Sequence, residues 1–153
     1  MAQVKPIPDG YHTLTPYIVV DGAAGAIAFY EKAFGAEEIY RMPGPGGQVM
    51  HAEIQIGDSR LMLSDAIAEM GGRSPKAFGG SPASILIYVP DVDAAFARAV
   101  AAGATADMPV MDMFWGDRYG KVKDPYGHVW QLATHKEDVP PEEMAKRAAA
   151  AMG

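Results

Sequence analysis

The chain carries one pattern twice. A strand-like run, Leu14-Thr15-Pro16-Tyr17-Ile18-Val19-Val20, leads through Asp21-Gly22 into residues 23–34. There Ile27, Phe29, Tyr30 and Phe34 recur at helical spacing until Gly35 stops the helix. Later, Ser84-Ile85-Leu86-Ile87-Tyr88-Val89 reads as a strand, Asp91-Val92-Asp93 opens a helix with Phe96 and Val100 on its apolar side, and Gly103 ends it. Gly35-Ala36 and Gly103-Ala104 hold matching places. Two further strands follow each helix, over 49–56 and 60–63 in the first half and over 119–122 and 128–134 in the second, with room for one short extra strand per half. Half-domains of this size have to pair to bury a core, so the duplication predicts an α+β chain of two tandem modules.

The boundaries follow from composition. We expect one domain over 1–153, with a first module at 13–65, a linker at 66–82, a second module at 83–135 and a C-terminal helix within 136–153. Residues 65–82 are rich in Gly, Ser and Pro and suit a mobile connection or flap. Pro140-Pro141-Glu142-Glu143 places carboxylates at the positive end of the terminal helix.

Composition excludes several classes. The chain has no cysteine, which removes disulfides, thiolate metal sites and a cysteine nucleophile and leaves His, Asp and Glu as metal ligands. A net charge of −6, with Lys and Arg scattered, argues against a nucleic-acid partner. No run is apolar enough to span a membrane, and residues 1–10 lack a basic region leading into an apolar stretch, so a cytoplasmic protein is expected. There is no G-x-G-x-x-G, Walker loop, G-x-S-x-G or H-E-x-x-H.

Strand alternation singles out one polar face. His51, Glu53 and Gln55 alternate with Met50, Ala52, Ile54 and Ile56, so three polar side chains share a face. A His–Glu pair two residues apart can act as a general base with a carboxylate that sets its tautomer; the same pair can equally be solvated or bonded across the sheet. Trp115 and Arg118 offer an aromatic face and a guanidinium suited to a planar anion, or else sheet packing and a structural ion pair. Gly116 and Gly120 suggest a bulge that aims these side chains. Tyr88 and Tyr17 turn inward by alternation, as pocket lining or as core with a wet hydroxyl.

The phrase Asp124-Pro125-Tyr126-Gly127-His128-Val129-Trp130-Gln131-Leu132, set on two such modules, resembles the vicinal oxygen chelate superfamily of glyoxalases, bleomycin-resistance proteins and extradiol dioxygenases. The blocks Ala28 to Ala36, Met50-His51-Ala52-Glu53 and Phe114 to Gly120 are similar to its PhnB-like branch. The resemblance implies βαβββ modules forming a curved mixed sheet around a cavity, and a homodimer. It also implies four inward metal-ligand positions, which fall here on Thr15, Met62, Ser84 and Gln131. Only Gln131 is a residue that such sites commonly use, so the inherited metal site is not expected.

The reading is a protein that binds a small organic molecule in the sheet cavity, with His51 and Glu53 as catalytic candidates and Gln55, Tyr88, Trp115, Arg118 and Gln131 as ligand-binding candidates, and with no assigned cofactor. The alternative is a divalent-metal lyase, isomerase or dioxygenase on a relocated site near His51 and Glu53, joined by His12 or His135.

Overall fold

A computed structural model describes residues 4–153. It is α+β, with two four-stranded mixed sheets and four helices, and its contacts divide it into two compact units between Gly80 and Ser81. In the first unit β1 (Tyr17–Val20), α1 (Ala23–Phe34), β2 (Glu37–Pro43), β3 (Val49–Ile56) and β4 (Ser59–Asp65) are followed by a single-turn helix α2 (Pro75–Phe78). The second repeats the order as β5 (Ser84–Tyr88), α3 (Val92–Ala102), β6 (Thr105–Asp112), β7 (Asp117–Lys123) and β8 (Val129–His135), and adds α4 (Pro141–Met152). Strand orders are β1-β4-β3-β2 and β5-β8-β7-β6, and in each sheet only the first pair is parallel. No helix among the described residues is long and apolar enough to cross a membrane.

Helices α1 and α3 each cover one face of their own sheet. Ala26, Ile27, Tyr30 and Ala33 of α1 are buried, as are Val20, Ala52, Ile54, Leu61 and Leu63 on the strands. In the second unit Val92 and Ala99 are buried, and so are Val122, Trp130 and Leu132. Because alternate strand residues face opposite ways, burying these positions leaves the odd-numbered residues of β3 on the other face.

The duplication extends to how the helices are anchored. Asp65 Oδ1 accepts from the amides of Gly22 and Ala23, both at 2.8 Å, and its Oδ2 accepts from Val49 at 2.7 Å. This carboxylate caps the free N–H groups of α1 from a distant strand, and Gly22, at φ 92°, supplies the left-handed turn into the helix. At the corresponding place on β8, Thr134 Oγ1 accepts from Val92 at 2.9 Å, while the α3 cap Asp91 accepts from Ala94 at 3.1 Å.

Four expectations change. The first strand starts at Tyr17 rather than Leu14, because Pro16 has no N–H and contributes only its carbonyl, to Met62. The extra strands are not short: β2 and β6 run seven and eight residues. The register irregularities lie in β6, around Pro109 opposite Gly120, rather than in β7; a Cβ on Gly120 would stand 3.1 Å from Phe96, so this glycine lets α3 approach the sheet. The Gly/Ser/Pro-rich connection is anchored, since Ser74 is buried and donates to Asp21 at 2.5 Å.

Candidate functional site

The first sheet turns a polar face away from α1. Register places Tyr17 beside Met62, Met62 beside Glu53, Glu53 beside Tyr40, and Gln55 beside Arg60. Directly opposite residues share a face, so His51, Glu53, Gln55, Tyr17, Tyr40, Arg60 and Met62 form one surface. His51 bridges two of them: its Nδ1 lies 3.2 Å from the Tyr17 hydroxyl and its Nε2 3.2 Å from Glu53 Oε1. The Tyr17 and Tyr40 rings flank the imidazole at 5.6 and 6.4 Å between centroids. The His51 and Glu53 side chains keep 24% and 22% of their exposure, enough for a ligand to reach both.

Tyr11 closes the group from the N-terminal side. Its hydroxyl is buried and close enough to Glu53 for each group to act on the other's titration. Burial first, and the Glu53 carboxylate second, push the Tyr11 hydroxyl up to about 12. Reciprocally, Tyr11 is the largest influence holding Glu53 below the usual carboxylate range, with His51 adding to it. Glu53 is therefore an anion at neutral pH, and it fixes one nitrogen of His51 while Tyr17 engages the other. Such an array can move a proton to or from a bound molecule. Gln55 shares the face but donates to Gly57 O at 3.0 Å, in the hairpin turn.

The second unit holds the other predicted residues, in two clusters and one separate pair of ion bridges. Tyr88 and Trp115 meet on buried Asp117, each donating to Oδ2 at 3.1 Å, and His135 Nδ1 reaches Oδ1 at 2.8 Å. Burial raises the Tyr88 hydroxyl, and Asp117 raises it further. Gln131 accepts from the Tyr119 hydroxyl at 2.7 Å and donates to Ser84. Arg118 stands apart from both clusters. Alternation turns it to the α3 side, where it pairs with Asp93 at 2.7 Å and Asp112 at 3.2 Å. The expected clamp of Trp115 and Arg118 around a planar anion is thus not formed: each side chain already has a carboxylate, and they face opposite ways.

His135 also holds Asp138 through Nε2 at 2.8 Å. Asp117 first and Asp138 second raise the imidazole above its ordinary value. Because the folded value lies above the unfolded one, the associated stability is fully present below about pH 6.5. It is lost as pH climbs through the raised folded value. We expect the urea midpoint of the wild type to fall over that alkaline-going interval, and that of His135→Gln to fall less. Parallel profiles for the two proteins would contradict this coupling.

The four positions at which the superfamily places metal ligands do not suit a cation. The Thr15 hydroxyl is spent on His12 O at 3.2 Å, Met62 offers a thioether, and Ser84 and Gln131 bond each other. Nor, among the described residues, do any three His, Asp or Glu side chains converge as a metal would require. Sequence reasoning missed Tyr11, Arg60 and Asp117. Tyr11 lies before the first strand, where alternation assigns no face. Asp117 becomes a hub only when β7 is paired with β8.

Two tandem βαβββ modules, each with a polar sheet face turned from its helix, define the class. The chain belongs to the Glyoxalase/Bleomycin resistance protein/Dioxygenase superfamily, whose family model matches residues 11–132. An uncharacterized protein of Mycobacterium tuberculosis is 48% identical over 134 residues, covering 86% of this chain and 79% of that one. The crystal structure of an Arabidopsis thaliana gene product, At5g48480, is 29% identical with a TM-score of 0.66, covering 80% of this chain and 98% of that one. The PhnB protein of Bacillus cereus is similar in fold alone, at 20% identity and a TM-score of 0.62, over 80% of this chain and 99% of that one.

Proposed function

We propose that this protein binds a small organic molecule on the polar face of its first sheet, with His51 and Glu53 as the acid–base pair and with no metal at the inherited positions. One observation carries the reading: His51 is held between Glu53 and the Tyr17 hydroxyl, on a surface that is still open to solvent. Nothing in the core requires this array, because the opposite face of β3 supplies the packing. The sequence blocks 28–36, 50–53 and 114–120 and the likeness to the Bacillus cereus protein support a place in the PhnB-like branch. Tyr88, Trp115 and Gln131 are the ligand-contact candidates of the second unit, and Gln55 that of the first. Arg118 belongs to this set only if a ligand displaces Asp93 or Asp112.

A homodimer is part of the proposal. Among the described residues, β1 and β2 in the first unit and β5 and β6 in the second are edge strands paired on one side, and a second copy can cover such edges. A chain without cysteine suits the reducing cytoplasm. A net charge of −6 disfavours a nucleic-acid partner.

The test is a small-molecule screen by ligand-detected NMR, followed by titration of each hit into wild type, His51→Ala and Glu53→Ala. We expect affinity to fall by ~10-fold or more in either variant, as for loss of a charge-assisted hydrogen bond. Stability should change by only about 0.5 kcal/mol, because both side chains are partly exposed. Hits that bind all three proteins equally would refute the assignment.

A further inference from the structure

We infer that the molecule bound on the His51–Glu53 face is a small aromatic carboxylate whose acid group pairs with Arg60; this rests on the binding reading above and names its ligand class. Arg60 lies opposite Gln55 and shares the face with Glu53 and His51. Its Nε and Nη1 are buried and have no hydrogen-bond partner among the described residues. The guanidinium is well held all the same. Its Cζ lies 5.6 Å from the centroid of the Tyr11 ring, and a Cβ at position 10 would stand 2.9 Å from Nη2, so the Gly10 backbone laps against it. Residues 11–16 belong to no helix or strand, and displacing the segment at Gly10 and Tyr11 admits an acceptor to the covered nitrogens.

Two buried guanidinium nitrogens with idle donors call for an anionic acceptor. Glu53 feels the charge of Arg60, which helps to hold its carboxyl down, yet forms no ion pair with it. A carboxylate is the acceptor that matches a planar guanidinium. The rest of the ligand is set by what the same face offers beyond that charge. Tyr17 and Tyr40 are 50% and 47% exposed, on strands at the two edges of the sheet, where their rings flank His51, and Met62 lies opposite Tyr17. Exposed rings on the face that carries the guanidinium favour a flat apolar body with one acid group.

Benzoate, its neutral near-isostere benzamide, and acetate, which has the charge without the ring, separate these demands. Isothermal titration of the full chain should show saturable benzoate binding, with benzamide and acetate each at least ~10-fold weaker. The preference for benzoate over benzamide should shrink with added salt. Arg60→Gln should abolish that preference and Arg60→Lys should keep part of it; because the comparison is a ratio within one protein, a modest change in stability does not disturb it. Absence of saturable benzoate binding, equal affinity for benzamide in the wild type, or an unchanged ratio in Arg60→Gln would each overturn the inference. The two readings fail differently. Neutral hits that need His51 and Glu53 but ignore Arg60→Gln would remove the carboxylate and keep the binding face. Benzoate affinity that needs Arg60 but ignores His51→Ala and Glu53→Ala would remove the acid–base pair and leave an anion site.

Discussion

Asp65→Ala is expected to destabilise the protein by about 3–6 kcal/mol, the sum of three orphaned N–H groups at roughly 1–2 kcal/mol each. The carboxylate is buried and takes its three bonds from Gly22, Ala23 and Val49, so it fastens the start of α1 and the start of β3 to the end of β4. Water cannot replace it at that depth without opening the sheet. Asp65→Asn should fall between, because the amide oxygen can still serve Gly22 and Ala23 while its NH₂ group confronts the Val49 N–H. Urea denaturation monitored by circular dichroism gives both values. A loss below about 1 kcal/mol for the alanine variant would mean that the cap is dispensable and that α1 is held by its apolar face alone.

Gly116→Ala is the second large effect, at about 3 kcal/mol or more, from backbone strain and steric conflict acting together. Gly116 has φ 102°, and a Cβ there would lie 2.2 Å from the carbonyl oxygen of Glu137. The glycine carbonyl also accepts from the amides of Lys136 and Glu137, at 2.9 and 3.0 Å. The segment after β8 therefore runs directly against this turn. Moving it away loosens Glu137, which pairs with Arg147 of α4 at 2.9 Å through both of its oxygens. Amide exchange should accelerate at Lys136 and Glu137 before the sheet amides of β7 and β8 respond. Uniform acceleration across the second unit would instead show that the turn and the sheet unfold as one.

The polar face of β3 was readable from the sequence because a strand's period of two is a local property, so His51, Glu53 and Gln55 had to share a side. The identity of what lies beside them was not. Tyr40 and Arg60 reach the same face only through the register of β2 and β4 on β3, and β2 shifts register twice on the way. Arg118 shows the limit from the other direction. Its type and its neighbourhood with Trp115 suggested a clamp, but the pairing of β7 with β8 turns it to α3, where Asp93 takes its charge.

By itself the sequence determined the duplicated β-α-β-β order, the helix stops at Gly35 and Gly103, the extent of β3, and the absence of thiol chemistry. All of these depend on residue type and on spacing within a few turns of chain. Only the tertiary structure decided that Asp65 caps a helix 42 residues away, that Asp117 gathers Tyr88, Trp115 and His135, and that two Arg60 nitrogens are buried without a hydrogen-bond partner among the described residues. The physical reason is common to all three. Burial makes a hydrogen-bonding group depend on whatever the fold brings within 3 Å of it, and that partner is chosen by strand register and chain crossing, which no local pattern encodes.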